Sequence, residues 1–127
     1  SIILTVVRDS QETFSQDLVL ITLDPQVLVT TVHRGGSEFV NRPSMSSDGK
    51  YIAYTLVSHN QSMQTDLVIY GVGNGCVWSQ PEVSEPENVY WVPGKATLLM
   101  TDGNEAEFRD VGDTLALIDA GKSCSGP

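Results

Sequence analysis

Arg42-Pro43-Ser44-Met45-Ser46-Ser47-Asp48-Gly49-Lys50-Tyr51-Ile52-Ala53-Tyr54 decides how this chain is read. It predicts a strand end, a tight turn at Asp48-Gly49, and a second strand in which Ile52 and Tyr54 alternate with Ala53. Asp followed by Gly supplies the backbone freedom that a tight hairpin needs. The alternation suits one sheet packed closely on another. A weaker copy follows as Val89-Tyr90-Trp91-Val92-Pro93-Gly94-Lys95-Ala96-Thr97-Leu98-Leu99-Met100. A turn-and-strand unit that recurs points to a repeat architecture.

Working outward, strand signals are frequent and helix signals nearly absent, since no window sustains apolar spacing at three and four residues. Strands are expected at Ile2–Val7, Asp17–Leu23, Val27–Val32, Arg42–Ser46, Lys50–Val57, Asp66–Tyr70, Cys76–Ser79, Val89–Val92, Thr97–Thr101 and Asp113–Asp119. Asp24-Pro25, Arg34-Gly35-Gly36-Ser37 and Gly73-Asn74-Gly75 are turn signals. Residues 58–64 read as a polar loop and 80–87 as a connector rich in proline and acid. Proline there stops a central strand from continuing. Residues 102–113 read as an acidic loop, and 120–127 as a tail of small residues.

The triplets beginning at Asp17, Asp66 and Asp113 stand 49 and 47 positions apart, and Cys76 and Cys124 stand 48 apart. That period suits four-stranded blades of about 40–50 residues. The expected fold is therefore all-β: two to three four-stranded antiparallel blades of a β-propeller. They would form a single domain over 1–127, with units at about 1–40, 41–86 and 87–127. The first unit begins at its second strand, and the last stops at or before its fourth. Closed propellers have about four to eight blades, so this one is partial or completed by oligomerisation.

The unit resembles the TolB-type, WD-like β-propeller repeat. That signature runs proline, any residue, tryptophan, serine, proline, aspartate, glycine, lysine, any residue, isoleucine, alanine, aromatic. Pro43, Ser46, Asp48, Gly49, Lys50, Ile52, Ala53 and Tyr54 match it, with Met45 in place of tryptophan and Ser47 in place of the second proline. In the next unit Trp91, Pro93, Gly94 and Lys95 match, and the aspartate reads as deleted. The resemblance implies a bacterial envelope or secreted protein, periplasmic if retained.

Length and charge bound the function. One domain fits 127 residues. A net charge of −9 argues against nucleic acid, whose phosphates call for clustered Lys and Arg. No apolar run reaches the ~20 residues of a membrane span, so no membrane insertion is expected. The start, Ser1 to Val7, lacks the basic region and cleavage site of a signal peptide.

Candidate chemistry is sparse. His33 and His59 are the only histidines, and Gly35-Gly36-Ser37 lacks the glycine that would complete a nucleophile elbow. No catalytic, cofactor-binding or metal-binding residue is assigned. The stretch Asp102-Gly103-Asn104-Glu105-Ala106-Glu107, with Asp110 and Asp113, has oxygen ligands that suit calcium, but Ala106 stands where an alternating ligand is required. It is read as solvated. Asn60-Gln61-Ser62 fits a glycosylation triplet. Trp78, Tyr90 and Trp91 are the candidate interaction residues, although Trp91 also suits the core. Cys76 and Cys124 are expected to remain separate thiols, because equivalent outer strands of neighbouring blades diverge beyond bridging distance unless the tail folds back.

These readings converge on a non-catalytic binding or protein–protein interaction module. Its partner would be a second copy (a homo-oligomer) or the remainder of a larger propeller. Two alternatives stand beside it: a non-catalytic propeller fragment of a prolyl-oligopeptidase-like hydrolase, and a carbohydrate-binding module using Trp78 or Trp91.

Overall fold

A computed structural model describes residues 2–9, 14–23, 26–33, 38–58, 65–82, 88–103 and 105–122. The described residues form ten strands: β1 (Ile2–Asp9), β2 (Phe14–Thr22), β3 (Leu28–His33), β4 (Glu38–Met45), β5 (Tyr51–Ser58), β6 (Thr65–Gly71), β7 (Val77–Glu82), β8 (Asn88–Trp91), β9 (Thr97–Asp102) and β10 (Glu105–Asp110). Among the described residues one helix, α1 (Gly112–Asp119), follows β10. The chain is mostly β, and its sheets are antiparallel meanders. Sheet A is β1-β2-β3, sheet B is β4-β5-β6-β7 and sheet C is β8-β9-β10.

Strand alternation places sheet B between the other two. On β5, Ile52 and Tyr54 join one apolar cluster while Tyr51 and Ala53 join the other. On β6, Val68 and Tyr70 go with the first pair, and Leu67 and Ile69 with the second. A period of two leaves no other arrangement for a strand covered on both faces. The first cluster is completed by Leu18, Leu20 and Val32 of sheet A and by Val40 of β4. The second is completed by Val89, Trp91, Leu98 and Met100 of sheet C and by Val111, Leu115 and Ile118 of α1 and its entry.

The sheets repeat one another in detail. Leu18 and Leu20 face sheet B from β2, as Leu67 and Ile69 face sheet C from β6, 49 positions later. Ile52 and Tyr54 face back to sheet A, as Leu98 and Met100 face back to sheet B, 46 positions later. Sheet A thus starts at the equivalent of the second strand of sheet B, as the sequence suggests.

The two signature hairpins have equal length. Ser46 N–H donates to Tyr51 O at 2.9 Å, and Val92 N–H to Thr97 O at 3.0 Å, so each closes over the same number of residues. The aspartate that reads as deleted is therefore no deletion: the positive-φ glycine is displaced by one position, from Gly49 (φ 75) to Gly94 (φ 73). Pro93-Gly94 makes the turn in one hairpin. In the other, the Asp48 carboxylate accepts from Ser46 Oγ (2.7 Å) and Lys50 N–H (3.0 Å), a local turn built by the side chain.

Three expectations need correction. Residues 105–110 form β10 rather than acidic loop, paired to β9 across the Gly103 turn. The connector begins later than residue 80, because β7 continues through Pro81, which is tolerated on an edge strand. Asp113–Asp119 is helix, not strand. Val111, Leu115 and Ile118 are buried at spacings of four and three, the period of a helix face, and they outweigh the Leu115/Leu117 alternation. Gly121 (φ 69) ends the helix: its N–H donates to Ile118 O, and Lys122 N–H donates to Leu117 O. Asp113 accordingly does not continue the series of Asp17 and Asp66, both of which lie in strands.

Candidate functional site

The hairpin tips of sheets B and C and the end of α1 gather at one edge, and Tyr51 stands at their centre. Its ring is buried on the C side of β5, tilted against Trp91 with centroids 6.0 Å apart. Its hydroxyl lies 2.7 and 2.8 Å from the two Asp119 carboxylate oxygens and donates its proton there. Burial, then that hydrogen bond, pushes the Tyr51 phenol up to about 12. Beside it, Asn74 Nδ2 donates to Ile118 O at 2.8 Å, and Asn74 Oδ1 accepts from Cys76 N–H at 2.9 Å. Asn74 thus ties the turn 73–75 to the last turn of the helix.

Two clefts flank Tyr51. One, of about 370 Å³, is lined by Lys50, Asn74 and Asp119. The other, of about 210 Å³, is lined by Ser46, Asp48, Trp91 and Lys95. The Asp48 carboxyl is held below its ordinary range, chiefly by the Ser46 hydroxyl and then by the Lys50 backbone N–H. Both clefts offer donors and acceptors of either sign. A phenol held protonated to about 12 is a donor, not a base, near neutral pH. Tyr51, Asn74 and Asp119 serve instead to fasten α1.

Cys76 adds a covalent fastening beside them: it is disulfide-bonded, which overturns the expectation of separate thiols. The other cysteine of the chain, Cys124, lies outside the described residues. The expectation assumed a final strand diverging from its neighbour. A helix folds back instead, and Ile118 touches the turn that precedes Cys76.

The three candidate interaction residues do not share a surface. Trp91 is buried, with Nε1 donating to Ser44 O at 2.9 Å, which joins sheet C to sheet B. Trp78 is half-buried against the same cluster from β7. Tyr90 points the opposite way and is 48% exposed. By register, Tyr90, Leu99 and Phe108 form one cross-strand row on the outer face of sheet C, and Phe108 is 69% exposed. Sequence reasoning missed Phe108 because its strand read as loop.

His33 ends β3, with its ring 6.2 Å from that of Tyr54. His59, Asn104 and the triplet 60–62 lie outside the described residues. Among the described residues, no group of three or more His, Cys, Asp or Glu side chains could hold a metal ion, and no helix is long and apolar enough to cross a membrane.

The class defined by this arrangement is a mostly β, antiparallel three-sheet stack. Comparison with protein-family models, with curated proteins and with solved structures found no match.

Proposed function

We propose that the chain is a non-catalytic protein-binding module whose sheets are propeller-like blades, completed by a second copy or by further blades. The outer face of sheet C carries the reading. The row Tyr90–Leu99–Phe108 holds the register of Ser44–Ala53–Ile69–Trp78 in sheet B, which is the row that sheet C covers. The opposite end has its own apolar exposure, at Leu23, Val27, Leu28 and Val29. Repeat stacks leave such faces at their ends wherever no cap covers them, and large exposed apolar patches mark interaction surfaces.

The disulfide at Cys76 fits an oxidising compartment, periplasmic or secreted. A carbohydrate-binding module would need Trp78 or Trp91 standing free in a groove; Trp91 is buried, and Trp78 is half-buried against the same cluster. The test is solution mass over a range of concentrations. Association that Tyr90→Ser/Phe108→Ser removes supports the reading. A monomer at every concentration, unchanged by that double substitution and giving no signal with a dye for exposed apolar surface, overturns it.

A further inference from the structure

The two ends of the stack carry unlike faces, and each repeats a face that is covered inside the chain. At one end is sheet C. Its outer row Tyr90–Leu99–Phe108 stands in the register of Ser44–Ala53–Ile69, on the side of sheet B that sheet C covers. At the other end is sheet A. Leu18 and Leu20 are buried toward sheet B, so strand alternation sends Val19 and Ile21 to the outer side. Ile21 pairs with Val29 of β3, as Tyr70, 49 positions after Ile21, pairs with Val77 of β7. Tyr70 and Val77 lie on the side of sheet B that sheet A covers.

Among the described residues, both contacts between neighbouring sheets join unlike faces. Where A meets B, Leu18 and Leu20 pack on the row Met45–Ile52–Tyr70–Val77. Where B meets C, Leu67 and Ile69, the equivalents of Leu18 and Leu20, pack on Leu98 and Met100, the equivalents of Ile52 and Tyr54. The outer side of sheet C presents the first kind of face, with Phe108 in the place of Ile69. The outer side of sheet A presents the second kind, with Ile21 and Val29 in the places of Tyr70 and Val77. Phe108 is 69% and Val29 65% exposed, and Val19 and Ile21 are half-buried.

We propose that a second copy of this chain occupies these faces: the outer face of sheet C in one copy packs on the outer face of sheet A in the next, head to tail. The contact continues the A–B and B–C interfaces, with the same kinds of row on each side. A two-fold pairing of sheet C with sheet C would set two faces of the first kind together, a match that neither of those interfaces makes. Unlike faces give a heterologous contact, which closes into a ring or runs on. Closing with two copies brings six sheets into the ring, three from each, inside the range of about four to eight for closed propellers. The proposal rests on reading the chain as a binding module; it names the partner and the two faces that meet.

The test is sedimentation velocity over a range of concentrations with the wild type, Phe108→Lys and Val29→Lys. The wild type should associate. Each substitution alone should weaken association about tenfold or more, because each puts a charge into an apolar contact. An equimolar mixture of the two variants should regain a one-to-one pair, since Phe108→Lys leaves the sheet A face intact and Val29→Lys leaves the sheet C face intact. Phe108→Ser and Val29→Thr serve as milder variants if either melting curve is altered. Association untouched by one of the two substitutions overturns the proposal and assigns the contact to a two-fold pairing of the other face. A mixture that stays monomeric overturns it too. Both outcomes leave the binding-module reading standing. A wild type that stays monomeric also overturns the proposal, and the broader reading falls with it only when a dye for exposed apolar surface gives no signal.

Discussion

The two sides of the central sheet are held in different ways. Toward sheet A, among the described residues, a run of apolar side chains makes contact: Leu18, Leu20 and Val32 against Ile52, Tyr54, Val68 and Tyr70. Toward sheet C, a comparable cluster is reinforced by Trp91 bonded to Ser44, by Gly94 N–H donating to Ser47 Oγ, and by a helix fastened through Asp119 and Asn74, with the disulfide-bonded Cys76 beside them. Apolar burial is non-directional and sets spacing more than orientation. Hydrogen bonds and a covalent link fix both. The C side should behave as the more rigid body, and sheet A as the part that opens first.

The largest effects should come from removing core volume on either side. Ile52→Ala and Leu98→Ala should each cost about 2–5 kcal/mol in denaturant unfolding. Hydrogen exchange should then separate the two: the first variant should release β1–β3 ahead of the rest, and the second should not. If both release the whole chain together, the contrast between the sides is wrong.

Next in size is the disulfide. Cys76→Ser, or reduction, should cost about 2–4 kcal/mol, with protection lost in α1 and retained in β1–β3. Equal loss in both regions would make the chain one cooperative unit. Gly71→Ala should cost about 1–3 kcal/mol through overpacking. An added Cβ would lie 2.7 Å from Ile118 Cγ2 and 2.8 Å from Asn74 Oδ1, so those side chains must give way.

The smallest effect, and the sharpest in location, is that of Tyr51→Phe, at about 1 kcal/mol near neutral pH. Folding raises the Tyr51 pKa from near 10 to about 12. Its contribution is therefore complete below pH 10 and is lost as pH rises toward about 12. Tyr51→Phe should remove that part of the alkaline slope of stability. An unchanged slope would break the link between the phenol and the helix.

Much of this fold was legible in the sequence because strand alternation and turn residues are local signals. Asp48-Gly49 and Pro93-Gly94 announced their hairpins, and Asp17-Leu18 and Asp66-Leu67 marked equivalent strands. What escaped was decided by tertiary context. Glu105–Asp110 is charged and exposed at most positions, and only pairing with β9 makes it a strand. Residues 113–119 alternate well enough to pass for one, although the Val111, Leu115 and Ile118 spacing with Gly121 beyond was a readable helix signal. The Tyr51–Asp119 contact joins residues 68 positions apart, and nothing local in either residue predicts it.

The equal length of the two signature hairpins separates the chemistry of a turn from its span. One bends through a side-chain-bonded Asp48 and the other through Pro93-Gly94, yet each returns the chain in the same phase. A slip of one residue would send every following side chain of the strand to the wrong face. Turns that conserve their count work as interchangeable cassettes: Pro93 to Ala96 could be exchanged for Ser47 to Lys50 without disturbing which side of β5 is apolar toward which neighbour.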